Sequence, residues 1–172
     1  TFTQILQHGS SFENVGMLQG DANNDGMDDV ILFSTEPSNS VEVFTQSNPF
    51  TSNLGSSTTI SFADNYTNCT LGHIDNDGKI DLLLTDMHSN KVHFYRNASI
   101  GSTVHFDKMY SMSTDLMPSS AHLVDLQGSA TSELVVSFSG TDQIKLYKKQ
   151  LLSDDANREP NAWEHYKQFI TG

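Results

Sequence analysis

The chain lacks much of what several protein classes require. It carries one cysteine, Cys69, in 172 residues, so no internal disulfide can form and pairing says nothing of redox compartment. Free cysteine is commonly buried, which makes Cys69 a candidate core residue; half of a bridge to something else is the alternative. Bases are scarce as well, 9 against 21 acids, for a net charge of −12. That field repels a phosphate backbone and no basic cluster offsets it locally, so nucleic acid is not an expected partner. The longest apolar runs, such as Val30 to Phe33 and Leu82 to Leu84, are far too short to span a bilayer. The N-terminus has neither the basic nor the apolar stretch of a signal peptide, so any secretion signal is expected to lie outside this segment. Helical periodicity is nearly absent: Ser153 to Asn157 hints at one turn, and Pro160 follows at once. No nucleophile elbow, zinc-protease helix motif or phosphate-binding glycine loop occurs either.

What is present suits a folded, soluble chain. Hydrophobic residues make up 36% and charged residues only 17%, and the length suffices for one ordinary core. The sequence also repeats. Asp29, Asp81 and Glu133 fall 52 residues apart, each closing a polar loop and each followed by an apolar run: "VILFS", "LLLTD" and "LVVSF". After a short polar turn comes an alternating strand: "SVEVFTQ", "KVHFYRN" and "QIKLYKK". A further strand follows, "TISFADNY", "TVHFDKMY" or "AWEHYKQF". The strand ahead of each loop reads "NVGMLQG", "CTLGHID" or "AHLVDLQ". Four short antiparallel strands repeated at this period predict an all-β protein of β-propeller blades. An apolar run without alternation predicts a second strand buried on both faces. An irregular β-sandwich would also give many short strands, but it would not be expected to repeat at 52 and 52 residues.

The polar loops have the spacing of a calcium site. In "DANNDGMDD", Asp21, Asn23, Asp25 and Asp29 occupy positions 1, 3, 5 and 9, and Gly26 at position 6 permits the turn that brings the Met27 carbonyl round as a fifth oxygen. Random placement of the chain's Asp, Asn and Gly gives this pattern on the order of 10⁻³ times per chain. Hard, partly anionic oxygens in a flexible loop suit calcium better than magnesium. The second loop places His73 at position 1, Asp75, Asp77 and Asp81 at 3, 5 and 9, and the Lys79 carbonyl at 7. Imidazole is a poor calcium ligand, so this site is expected to be the weaker; no second histidine or cysteine stands at zinc spacing. The third loop, "DLQGSATSE", keeps Asp125 and Glu133 but has Ser129 and Ala130 at positions 5 and 6. It is expected to hold itself together by hydrogen bonds without metal.

"GDANNDGMDDVIL" and "IDNDGKIDLLL" resemble the calcium loops of FG-GAP and VCBS repeats, the blades of integrin α-subunit heads and of many secreted propellers. The resemblance implies that the metal loop joins the first two strands of a blade and that ligand sites sit on the opposite face. It carries Asp21, Asn23, Asp25, Met27 and Asp29 over fully as liganding positions, whereas the second loop departs at His73 and the third at several places. The expected organisation is an outer strand of a preceding blade at 1–8, blade 1 with its calcium loop at 9–66, blade 2 with a degenerate loop at 67–110, and blade 3 without a metal loop at 111–172. Three units do not close a ring, so the segment is expected to belong to a larger, six- to eight-bladed propeller. The remaining blades would come from the same longer chain or from a second copy.

The expected function is that of a calcium-stabilised extracellular or cell-surface platform, non-catalytic, for protein or glycan recognition of the adhesion or receptor type. The alternative is the propeller of a secreted polysaccharide-active enzyme, catalytic or accessory, but only Arg96 and Arg158 are available for a channel cluster, and the carboxylates are concentrated in the metal loops. Seven histidines are scattered, at 8, 73, 88, 93, 105, 122 and 165, and His93 and His105 are expected to line a blade surface. Display loops are expected at 34–40, 85–91 and 139–143, with a longer one at 107–120. That last loop carries Met109, Tyr110, Met112 and Met117, whose other reading is core packing. Three sequons, at Asn65, Asn68 and Asn97, are about as many as chance gives and add little to the reading of a glycoprotein.

Overall fold

The structure, a computed structural model, describes residues 9–10, 13, 16–48, 54–129, 131–149 and 163–170. The expected strand at 1–8 and the helical hint at 153–157 lie outside the described residues. Among the described residues twelve strands form three four-stranded antiparallel sheets, each a meander of consecutive strands. The first holds β1 (Gly16–Gly20), β2 (Asp29–Ser34), β3 (Ser40–Gln46) and β4 (Leu54–Ser61). The second holds β5 (Asn68–Gly72), β6 (Asp81–Asp86), β7 (Lys91–Asn97) and β8 (Phe106–Ser113). The third holds β9 (Pro118–Val124), β10 (Glu133–Phe138), β11 (Gln143–Lys149) and β12 (Trp163–Ile170). No helix among the described residues is long and apolar enough to cross a membrane.

Two apolar layers lie between the sheets, and β6 explains why its run does not alternate. Leu82 and Leu84 enter the first layer with Ile31, Val41, Val43 and Tyr95. Leu83, between them, enters the second layer with Phe94, Leu134, Val136 and Ala121. A strand packed on both faces needs apolar residues at every position, as the sequence predicts. Cys69 is buried in the first layer, as a small apolar residue would be.

The outermost strands differ from expectation in their limits. In all three sheets the register slips between the third and fourth strands, at Phe44/Gln46, Phe94/Tyr95 and Leu146/Tyr147. One extra residue at that bulge shifts the pairing that follows. Thus β4 begins at Leu54, ahead of the expected "TISFADNY", and β8 runs to Ser113, past the expected blade boundary at 110, because Val92 and Lys91 pair with Met112 and Ser113. Most of the expected loop at 107–120 is therefore strand. Met109, Tyr110 and Met112 pack against the second layer, and Met117 is left exposed in the short turn that remains.

His93 departs from its expected place on a blade surface: it is buried, while His105 is exposed and paired with Asp107. The third strands of the first two sheets are buried through their middles, so a polar residue there must find partners at the seam. His93 Nδ1 lies 2.8 Å from Ser111 Oγ and 3.7 Å from Asp64 Oδ2. Asp64, in the connection between the first two sheets, also accepts Tyr95 Oη at 2.6 Å and Lys108 Nζ at 2.8 Å. Burial alone would raise the Asp64 pKa, but the bonds from Lys108 and Tyr95 outweigh it and hold the carboxyl below its ordinary range. The equivalent positions are Glu42, bonded to Ser10 and Ser57, and Lys145, paired with Asp115.

Burial also holds His93 below its ordinary value of 6.5, against the pull of Asp64 and Asp86 and with Lys108 and Lys91 adding to the shift. The folded state thus takes up this proton later than the unfolded chain. Stability should fall as pH drops from about 6.5 toward the lower folded pKa, then level for this group. Denaturant midpoints measured between pH 7.5 and 5 should decline in the parent and flatten in His93→Gln; an equal decline in both would remove His93 as the cause.

Candidate metal centres

The loops 21–29, 73–81 and 125–133 join the first and second strands of their sheets. Their backbones turn through the left-handed region at matching positions. Asn24 and Gly26 have φ of 61° and 88°, and Asn76 and Gly78 have 62° and 88°. Glycine takes the sixth position because the larger positive φ would strain a side chain there, and asparagine tolerates the fourth. In the third loop Gly128, at φ 65°, stands in the fourth position.

The acid at position 9 is buried in every loop and closes it. Asp29 accepts the Ala22 N–H at 2.9 Å on one oxygen and the Gln46 N–H at 2.8 Å on the other. Asp81 accepts the Ile74 N–H at 2.6 Å and the Asn97 N–H at 2.7 Å. Glu133 accepts the Leu126 N–H at 3.0 Å. Burial raises the pKa of both aspartates; the backbone donors oppose this, while Asp25 beside Asp29, and Asp75 and Asp77 beside Asp81, push the same way as burial.

The second loop brings Asp75, Asp77 and Asp81 together, with one carboxylate oxygen from each within 4.8 Å of the others. It is the one such group of three acids among the described residues. His73 does not join them. Its ring Nδ1 lies 2.7 Å from the Lys79 carbonyl and donates to it, engaging the oxygen expected to be a ligand. In the first loop, Asp21 accepts the N–H groups of Asp25 and Gly26 at 3.0 and 2.8 Å. The Asn23 amide donates to Asp25 at 2.9 Å, and Asp25 accepts the N–H of Met27, also at 2.9 Å. Both sets are oxygen donors on short side chains around a tight turn, which fits a hard divalent cation and suits a soft one poorly.

Residues 21–84, from position 1 of the first loop into β6, match the family model of the FG-GAP-like repeat. Over this segment the chain is similar to the FG-GAP-like repeat. The match takes in both acidic loops, and the sheets that carry them are blades of the β-propeller type. No curated protein sequence matches the chain. The third unit lies beyond the FG-GAP-like match but keeps its strand plan, with internal donors where the acidic loops have carboxylates. Gln127 donates to Glu133, the Ser129 N–H bonds Asp125 at 3.0 Å, and the Ser129 and Thr131 hydroxyls meet at 2.8 Å.

The residues that tie one loop to the next blade stand outside the loop motif itself. Asn97, at the end of β7, donates through Nδ2 to the Ala22 carbonyl at 2.9 Å and to the Ile80 carbonyl at 3.0 Å. Lys149, its equivalent at the end of β11, donates to the Ile74 carbonyl at 3.0 Å. The signal was a donor-bearing side chain closing each third strand, at Gln46, Asn97 and Lys149. The same bonds remove Asn97 as a glycan acceptor in the folded chain, since its amide is 1% exposed. Asn65 is exposed.

Proposed function

We propose that the chain is a calcium-stabilised, non-catalytic propeller segment in an extracellular setting, whose rigid blades present loops for protein or glycan recognition. The observation that carries the calcium reading is the convergence of Asp75, Asp77 and Asp81. Three mutually close carboxylates, one of them buried, repel one another and call for a counter-charge, and a divalent cation supplies it. The first loop, with Asp21, Asn23, Asp25, the Met27 carbonyl and Asp29, offers a set of the same kind. The turns 35–39, 87–90 and 139–142, at the other end of the strands, are the surface for recognition. The far face of the third sheet carries Val135, Ile144 and Leu146 where β2 and β3 carry Ile31, Val41 and Val43. On this reading it seats a further blade, from the same longer chain or a second copy.

Each loop that binds calcium about tenfold more tightly than the free supply should add about 1.4 kcal/mol by linkage. Thermal melting with calcium and with chelator should show that gain. Asp25→Ala should remove the first loop's share and Asp77→Ala the second's, while His73→Asp should raise affinity at the second loop by freeing the Lys79 carbonyl and adding an anionic oxygen. A double variant, Asp25→Ala with Asp77→Ala, that responds to calcium as the parent does would remove the assignment. Sedimentation tests the further blade, and a strictly monomeric, cooperatively melting chain speaks against it. A glycan array and a pull-down with the intact protein, with the three turns substituted as control, test the recognition reading, which fails if the substitutions change nothing.

A further inference from the structure

Asn97 belongs to the second blade but holds the first blade's acidic loop. Its amide nitrogen donates to the carbonyl of Ala22, the residue between Asp21 and Asn23, and the same nitrogen donates to Ile80, next to Asp81. Its backbone N–H binds Asp81 itself at 2.7 Å, and its side-chain oxygen accepts the Ser99 N–H at 2.9 Å. Both amide hydrogens and the oxygen are therefore used, at a site closed to water. A continuous set of hydrogen bonds runs from Asp29 through the Ala22 peptide and Asn97 to Asp81 and the Ile74 N–H. Asn97 cannot shift without leaving buried polar groups unpaired, which makes it a stiff joint between the two loops.

We propose that Asn97 is a positioning residue that couples the two loops, so that a cation held in one raises the affinity of the other. The inference rests on the calcium reading. A cation held by Asp75, Asp77 and Asp81 would hold Asp81 in place and, through its bond from the Asn97 N–H, Asn97 as well, whose amide in turn holds the Ala22 carbonyl between Asp21 and Asn23. Ordering one loop thus lowers the conformational cost of ordering the other, and reciprocity follows from linkage. The third blade's tie to Ile74 is the equivalent bond from Lys149, but it reaches a loop from a unit whose own loop is filled by Gln127 and Ser129, so the coupling is confined to the first pair.

Calcium titration by calorimetry tests this on the intact chain. Asp77→Ala isolates the first loop, Asp25→Ala isolates the second, and the parent gives the product of both constants with the coupling included. The parent's product should exceed that of the isolated constants by roughly fivefold or more. Repeating the three titrations in the Asn97→Ala background should bring the ratio to about one with both loops still binding, and Asn97→Lys, the residue used in the third blade, should restore part of it. A parent ratio of one overturns the proposal without any substitution at Asn97, so a variant that fails to fold does not shelter it. An Asn97→Ala ratio equal to the parent's overturns it as well. Absence of calcium binding at both loops overturns the calcium reading together with the coupling, and is distinguished by a flat titration of the parent.

Discussion

Replacing Phe94 with alanine should lower the unfolding free energy by about 3–5 kcal/mol, the largest loss expected from a single truncation in this chain. Phe94 is fully buried on β7. Its ring stacks on Tyr110 of β8 at 4.6 Å and 18°, and on Trp163 of β12 at 6.0 Å and 15°. The side chain thus joins its own blade to the next, and the Trp163 indole N–H completes the contact by donating to the Tyr110 hydroxyl at 2.9 Å. Two stacked partners and a fixed hydrogen bond leave the site little freedom to collapse, which puts the cost at the upper end of the range for such truncations. Chemical denaturation measures it. Trp163 is the only tryptophan, so its emission reports the same site and should shift to the red in the variant. A loss below about 1 kcal/mol would mean that the second and third sheets are not packed through Phe94.

Blade plan was legible because two of its signals are strong. A strand buried on both faces cannot alternate, so "LLLTD" announces itself, and a turn with glycine at the sixth position between alternate oxygens has few other uses. Outer strands were not legible at their ends. In β4 the residues 56–59 are all exposed and the sequence, "LGSSTTIS", is polar enough to read as loop, while the bulge beside it is a property of pairing that no single strand carries. His93 was misplaced because alternation with apolar neighbours suggests a surface, and only the return of Asp64, Lys108 and Ser111 from distant segments makes burial possible. Asn97 was visible as a sequon and as the end of an alternating strand, yet its acceptor at Ala22 lies 75 residues away. Contacts of that range follow from how neighbouring blades stack, not from the local pattern.

Asp29 and Asp81, the position-9 acids expected as ligands, also close their loops by hydrogen bonds, a duty that can be measured apart from any cation. Asp81→Ala should destabilise the chain by about 2–4 kcal/mol in the presence of chelator, where no cation contributes. The carboxylate is fully buried, and its removal leaves the Ile74 and Asn97 N–H groups without an acceptor. Each orphaned donor costs about 1–3 kcal/mol, offset in part because an ionised group no longer has to be buried. Asp81→Asn keeps one oxygen and should lose less. Asp77 makes the contrast: it is exposed and accepts only the Lys79 N–H at 2.8 Å, so Asp77→Ala in chelator should stay within about 0.5–1 kcal/mol of the parent while removing the calcium response of its loop. Denaturant unfolding of the three variants, each with chelator and with calcium, reads the two duties separately. Equal stabilities for Asp81→Ala and Asp77→Ala in chelator would show that the loop is not closed through Asp81, and the acid at that position would then be left with the cation alone to explain it.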